Sequence, residues 1–219
     1  MPDEFHYQMK LIKQLVEDIG IQALEVPWYE ADDIIWTLAK SEAQHEEVSV
    51  VIVSSDKDLK QLVTDRVMMF DAMKEIETTP QSFIAKHGYQ PESIVDYLSL
   101  VGDASDNIKG VRWIGKMWAS DLIKKYGTLD VIYDHIEEIT GAIKQKLIDG
   151  KEDAYTSKEL IQLMDVPEIH DMHIPRSCTL DFTKMKQVLV DQHGFSSLEK
   201  LIEQLRKQRM WGEQLGLFG

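Results

Sequence analysis

Apolar residues recur at helical spacing from Phe5 through Met9, Ile12, Leu15, Val16 and Ile19, which predicts an amphipathic helix over 4–19 ended by Gly20. Ala23-Leu24-Glu25-Val26 reads as a short strand stopped by Pro27, and Tyr29 to Ala43 as a helix with Ile34, Ile35 and Leu38 inward. Val48 to Ser54 is an unbroken, largely β-branched run, the pattern of a strand covered on both faces. A helix beginning in 56–62 and a strand at Val67 to Phe70 follow. This alternation predicts an α/β chain with a parallel sheet. After Glu77 the texture changes. Pro80 and Pro91 stand where a helix can start without losing a hydrogen bond. Helices are expected near 81–87, 92–101, 115–125, 128–136, 140–147, 151–164 and 196–208, with a loop over 165–180 and no strand beyond Glu77. The chain divides into an α/β part (1–78), a helical part (79–207) and a tail (208–219).

Composition narrows the setting. At 219 residues, with 43% hydrophobic and 28% charged residues, the chain can bury a full core. There is no long apolar run, so no membrane span is expected, and the first residues do not form a signal peptide. One cysteine, Cys178, excludes an internal disulfide framework and suits a reducing cytoplasm. The net charge of −14 argues against nucleic acid unless the acids serve metals and the bases cluster. The seven histidines are scattered and read as solvated; His170 and His173 do not form a zinc site.

The acids are concentrated at the ends of elements. Glu30, Asp32 and Asp33 open a helix after a strand, Asp56 and Asp58 follow the 48–54 strand, and Asp103 and Asp106 follow the break at Gly102. In an open α/β sheet, sites form at the carboxyl ends of the strands. Seven like charges converging there call for cations, and hard oxygen ligands suit Mg²⁺ or Mn²⁺. A pair of such ions can activate water and stabilise the leaving oxygen of a phosphodiester. The competing reading is that these acids only cap helices and complement their dipoles. Beyond Asp106, the glycine-bounded turn Gly110-Val111-Arg112-Trp113-Ile114-Gly115 opens a helix carrying Lys116, Lys124 and Lys125. Free N–H groups at such a turn bind phosphate.

In order and spacing, Tyr29-Glu30-Ala31-Asp32-Asp33, Ser54-Ser55-Asp56-Lys57-Asp58-Leu59 and Gly102-Asp103-Ala104-Ser105-Asp106-Asn107 resemble the 5′→3′ exonuclease domain of bacterial DNA polymerase I and the flap endonucleases. The stretches 91–98 and 152–160 resemble it too, and the likeness reaches about Leu205. The resemblance implies a PIN-like α/β nuclease core with a helix–three-turn–helix element, two divalent ions, and cleavage of 5′ ends and flaps near nicks and duplex junctions. It assigns Glu30, Asp32 and Asp33 to the first metal, and Asp56, Asp58, Asp103 and Asp106 to the second, with Asp33, Asp56 and Asp103 as catalytic groups. It also assigns Lys109, Gly110, Arg112, Gly115, Lys116, Lys124 and Lys125 to the DNA grip, with a K⁺ ion at the 110–115 turn.

This sequence departs from the family in two places. The family's first strands, with two further carboxylates and a basic arch, have no counterpart here, so activity is expected to need a separate amino-terminal chain. The turn's GIG core reads Trp113-Ile114-Gly115, and Trp does not readily take the positive φ that Gly adopts. The alternative is a non-catalytic, structure-specific DNA-binding protein of the same fold. In the tail, glycines should end the last helix, and Gln214-Leu215-Gly216-Leu217-Phe218 resembles the peptide by which bacterial replication proteins dock on the sliding clamp. Gln214, Leu215, Leu217 and Phe218 would carry that contact.

Overall fold

A computed structural model describes residues 3–172 and 180–214. In chain order the elements are α1 (Asp3–Asp18), α2 (Ala31–Glu42), β1 (Val50–Val53), a 3₁₀ turn (Asp58–Leu62), β2 (Val67–Asp71), β3 (Ile76–Thr78), α3 (Pro80–His87) and α4 (Ile94–Val101). They continue with α5 (Lys116–Tyr126), α6 (Leu129–Asp134), α7 (Ala142–Asp149), α8 (Lys151–Ile161), α9 (Pro167–His170), α10 (Phe182–Lys186), a π-helical turn (Gln187–Gln192) and α11 (Glu199–Gln214). The chain forms two compact units, one made of residues 27–171 and the other of 1–26 with 172–219.

In the 27–171 unit the sheet order is β1-β2-β3. β1 and β2 are parallel, with Val50 opposite Val67 and Val53 opposite Phe70. β3 pairs antiparallel, Ile76 opposite Asp71, so the sheet is mixed rather than purely parallel. The extra strand has only three residues, two of them polar, and carries too short a pattern to read from sequence. Ile52, Leu59, Leu62, Val63, Val67 and Met69 form the sheet's core with Ala39 of α2. The helical half has a larger core around Phe83, Leu98, Leu100, Ile123, Leu129, Ile132 and Leu147. Pro80 sits in the first turn of α3 behind Thr79, whose side chain and that of Ser82 cap each other's N–H groups.

Four further expectations differ from the structure. Residues 21–26 form no strand, and none of the three strands pairs with them. Only Ile52 of β1 is buried; Val51 and Val53 are 53% and 67% exposed. β1 is an edge, so its β-branched run reflects strand propensity rather than cover on both faces. The 165–180 loop contains α9, begun by Pro167. In the second unit, Ile19, Val188, Leu189 and Ile202 form a small core with Leu15, Phe182 and Leu198. There α11 runs through Gly212 to Gln214 instead of stopping at the glycine, since one interior Gly costs only about 1 kcal/mol.

Candidate metal centre and nucleic-acid interface

Glu30, Asp32, Asp56, Asp58 and Asp106 line a crevice of about 320 Å³ whose apolar wall is Ile108, Leu160, Ile161 and Leu163. Glu30 is the N-cap of α2 yet caps nothing with its side chain, which leaves its carboxylate for the crevice. Asp32 lies in the first turn, where burial and then the charges of Asp56 and Glu30 push its pKa up. Asp56 follows β1; its N–H donates to Ser54 Oγ (3.0 Å) and its Oδ1 accepts the Asp58 N–H (2.9 Å). That Asx turn swings Asp58 into the crevice. Burial, then repulsion from Asp56 and Asp103, pushes Asp58 up to about 6.

Asp103 is only 5% exposed. Its Oδ1 accepts the Ser105 N–H (2.9 Å) and hydroxyl (2.6 Å), and Lys57 forms an ion pair with Oδ2. Lys57 Nζ also donates to Ser105 Oγ (2.8 Å). Burial alone would raise Asp103, but the Lys57 ammonium and the two Ser105 donors outweigh it and hold the carboxyl well below its usual range. At the exposed rim, burial and the neighbouring Asp103 push Asp106 up. Oxygens of Asp58, Asp103 and Asp106 all lie within 4.8 Å of one another. Asp58 Oδ1 is buried without a hydrogen-bond partner, whereas the buried Asp103 Oδ2 is ion-paired with Lys57. A buried carboxylate oxygen left like that of Asp58 fits a hard divalent cation.

Asp33 is placed differently from the other six acids. It is buried, its Oδ1 accepts the Met164 N–H (2.8 Å), and its carbonyl accepts the Thr37 hydroxyl (2.9 Å). Thr37 Oγ1 in turn accepts the Val166 N–H (2.9 Å). Asp33 therefore ties the chain after α8 onto α2, and it reaches the crevice as one of the charges that raise Asp32. Sequence reasoning gave no role to Lys57 or Ser105. The signal was a cation between two acids in Asp56-Lys57-Asp58 and a hydroxyl between two acids in Asp103–Asp106.

The turn beyond the crevice is held from inside by Val111 and Ile114, both buried, while Arg112, Trp113 and Lys116 stand in solvent. The Val111 N–H donates to the Leu100 carbonyl (2.9 Å), the Gly110 N–H to Ser157 Oγ (3.2 Å), and Lys146 Nζ to the Trp113 carbonyl (3.3 Å). Gly115 is the N-cap of α5, and no side chain caps that helix start. The five basic candidates fall at two places: Lys109, Arg112 and Lys116 around the turn, and Lys124 and Lys125 in the last turn of α5. Lys125 Nζ is held by the Tyr126 hydroxyl (2.8 Å).

Trp113 does take the left-handed conformation, with φ 67°, its ring 69% exposed beneath the Arg112 guanidinium. Trp28, two residues before Glu30, has φ 76° and is 101% exposed. Both positions have the backbone of a glycine; the Trp28 side chain buries nothing, and that of Trp113 is covered only in part. Gln214 ends α11, and Leu215, Leu217 and Phe218 lie outside the described residues, as do Cys178 and His173. His170 pairs with Asp165 (3.0 Å) and, among the described residues, belongs to no metal-type cluster. No helix among the described residues is long and apolar enough to cross a membrane.

A small sheet with carboxylates beyond its strands, followed by helices that present a glycine-bounded turn, defines a PIN-like α/β nuclease scaffold. Residues 1–88 match the family profile "5′-3′ exonuclease, N-terminal resolvase-like domain", and 89–179 match "5′-3′ exonuclease, C-terminal SAM fold". The 5′-3′ exonuclease of Aquifex aeolicus is 35% identical over 211 residues, covering 94% of this chain and 70% of that protein. The chain belongs to the 5′-3′ exonuclease family. The thermostable DNA polymerase I of Thermus thermophilus is 40% identical over 167 residues, which is 76% of this chain but 20% of the polymerase. The chain thus spans about one fifth of the polymerases it matches. A bacteriophage T5 flap endonuclease, solved as a pseudo-enzyme–product complex with DNA and metal ions, shares the fold with a TM-score of 0.60. It is 20% identical, over 89% of this chain and 66% of that one.

Two outcomes are expected. Trp113→Gly relieves a strained backbone and should stabilise the chain by about 1 kcal/mol, raising Tm by about 2–4 °C; a fall in Tm would show that the ring packs on something. Asp58 binds its proton more tightly folded, at about 6, than unfolded, at the ordinary carboxylate value. Without divalent ions, the Asp58 contribution to stability should therefore be fully present below the unfolded value, about 4, and be lost as pH rises to about 6, lowering Tm by roughly 3 °C across that window. Asp58→Asn should flatten that slope, and a wild-type Tm that is level across this window would refute the assignment.

Proposed function

We propose that this chain supplies the carboxylate crevice and DNA-gripping turn of a metal-dependent 5′→3′ exonuclease and 5′-flap endonuclease, acting on DNA in the bacterial cytoplasm during replication and repair. The observation that carries this reading is the meeting of Asp58, Asp103 and Asp106 within 4.8 Å, with a buried oxygen of Asp58 that has no hydrogen-bond partner. Asp58, Asp103 and Asp106 would hold one Mg²⁺ or Mn²⁺ with Asp56 beside them, and Glu30 and Asp32 would serve a second, with Asp33 fixing the helix that carries them. The ions supply an activated water and neutralise charge building on the phosphodiester. The protein's own part is to orient. The Asx turn at Asp56 and the Ser105 donors fix two carboxylates before substrate arrives, which removes that ordering from the barrier. Lys57 holds Asp103 ionised at neutral pH, so that carboxylate has no proton to lose on binding a cation.

The turn from Gly110 to Gly115, with Lys109, Arg112, Lys116, Lys124 and Lys125, would hold a duplex by its phosphates near a nick, flap or junction, with K⁺ at the turn. The unpaired edge of β1, with Val51 and Val53 exposed, fits further strands from an amino-terminal fragment that completes the sheet. The alternative, a DNA-binding protein without catalysis, draws on Lys57 already neutralising Asp103 and on Asp33 being engaged with Met164. One assay separates the two. With Mg²⁺ and an amino-terminal fragment supplied, the chain should cleave a 5′-flap duplex, and Asp103→Ala should lower the rate at least about 100-fold with binding retained. Unchanged cleavage by Asp103→Ala would remove the metal assignment, and no cleavage by either protein would leave the binding reading. Exchanging K⁺ for Na⁺ in the same assay, with weaker binding expected, tests the ion at the turn.

We also propose that the chain's end docks on the bacterial sliding clamp through Gln214, Leu215, Leu217 and Phe218. Two apolar anchors and an amide suit a groove, although the helical state of Gln214 means that any extended segment begins at 215. Clamp binding with a Kd of about 1 µM is expected. Leu217→Ala with Phe218→Ala should abolish it without moving Tm; a lower Tm with no clamp binding by the wild type would place these residues in the core.

A further inference from the structure

A second charged surface adjoins the crevice, and it is positive. Lys60 lies two residues beyond Asp58, half-buried on the same 3₁₀ turn. Lys86 and His87 form the last turn of α3, where the imidazole is clamped against Phe83 (4.4 Å between centroids) and Tyr89 (5.7 Å). Lys124, from the last turn of α5, lies across Gly88: a Cβ there would sit 2.5 Å from Lys124 Cε and 3.2 Å from Nζ. Gly88 thus leaves room for that lysine to reach the end of α3. Lys60, Lys86 and Lys124 make no ion pair among the described residues. Asp71, whose charge acts on Lys60, is itself engaged by Lys74 (2.6 Å).

Such a gathering is costly. Burial followed by the charges of Lys86, Lys60 and Lys124 lowers the pKa of His87. The ends of α3 and α5 each offer about half a negative charge, which accounts for one helix's lysine at a time. It does not offset three ammonium groups from three elements, one of them on a turn with no long helix behind it. In a chain of net charge −14, unpaired cations beside a row of carboxylates suit an anion that must reach those carboxylates.

We propose that Lys60, Lys86, His87 and Lys124 form a phosphate-binding track for the backbone of a nucleic-acid strand, continuing the 110–116 turn and leading to the carboxylate crevice. The inference rests on the reading of the chain as a DNA-acting nuclease and adds to it the route of the strand. The track recognises phosphodiesters and not bases, so it is indifferent to sequence. Its contribution is steering and register: it offsets the repulsion between DNA and the crevice acids, an effect that salt should screen.

The test is binding of a fluorescent 5′-flap duplex in EDTA across a salt series, with the full chain. Lys60→Gln with Lys86→Gln should weaken binding about tenfold at low salt and flatten the log–log salt slope by about two. The same double variant should keep or raise Tm, because it relieves repulsion, so lost binding cannot be lost folding. In parallel, Lys109→Glu with Arg112→Glu and Lys116→Glu probes the turn. If that triple variant weakens binding while the Lys60/Lys86 variant binds with unchanged affinity and slope, the track is overturned and the nuclease reading stands. If neither variant changes binding, both fail. Inorganic phosphate and pyrophosphate form the third arm. Their tight binding at Lys60 and Lys86, with DNA binding unaffected, would make this a small-anion site and overturn the proposal.

Discussion

The approach of the backbone to itself at Gly102 and Gly110 is the constraint on which both halves of the site depend. A Cβ on Gly102 would lie 2.5 Å from the Lys109 carbonyl oxygen, and one on Gly110 would lie 2.3 Å from the Gly102 nitrogen. Both residues also have positive φ, 80° and 63°. Only glycines allow this contact. It closes the 103–108 loop, whose ends exchange two hydrogen bonds between Asp103 and Ile108 (2.8 and 2.7 Å). The loop in turn buries Asp103 and leaves Asp106 at the rim. Beyond the contact, Val111 and Ile114 enter the core and α5 starts. Asp103, Asp106 and the glycine-bounded turn therefore cannot shift independently: one backbone clasp sets the distance between that edge of the carboxylate crevice and the turn.

The electrostatics follow from that geometry. A buried carboxylate beside three others would normally take up a proton, as Asp58 does in part by rising to about 6. Asp103 goes the other way because Lys57 and Ser105 are fixed against it. Two neighbouring acids thus have pKa values pushed apart by their partners, one an ionised anchor and the other able to titrate near neutrality. Lys57 comes from the turn after β1 and Ser105 from the loop after α4, so the anchor also joins the sheet to the helical half of the 27–171 unit.

Much of this was legible in the sequence, and the misses have physical causes. The three acidic motifs, the long helices and the glycine-bounded turn could be read because cap residues, helical spacing and glycine pairs are local signals. Asp33 looked like its neighbours Glu30 and Asp32, yet helical geometry turns it inward to the Met164 N–H, a partner 131 positions away that no local pattern could announce. β3 was missed because three residues, none of them buried, carry no periodicity. The run in β1 suggested burial on both faces, whereas strand propensity and burial are distinct, and Val51 and Val53 have the first without the second. Trp113 is the opposite case: the expectation that Trp avoids positive φ is sound in general, and here the surrounding contacts impose that conformation.

The net charge resolves in the same terms. A value of −14 describes the whole chain, whereas a phosphate backbone meets a surface within about one Debye length, ~8 Å at physiological salt. Within that reach lie either the carboxylates of the crevice or the lysines at the ends of α3 and α5, and the 3₁₀ turn of residues 58–62 carries one of each, Asp58 and Lys60. On the proposed reading, an acidic protein with its bases segregated in this way would repel DNA away from those bases. The surplus of acid would then act against unproductive binding, while divalent ions would neutralise the crevice. Sign and position of charge, more than its sum, decide what such a chain can hold.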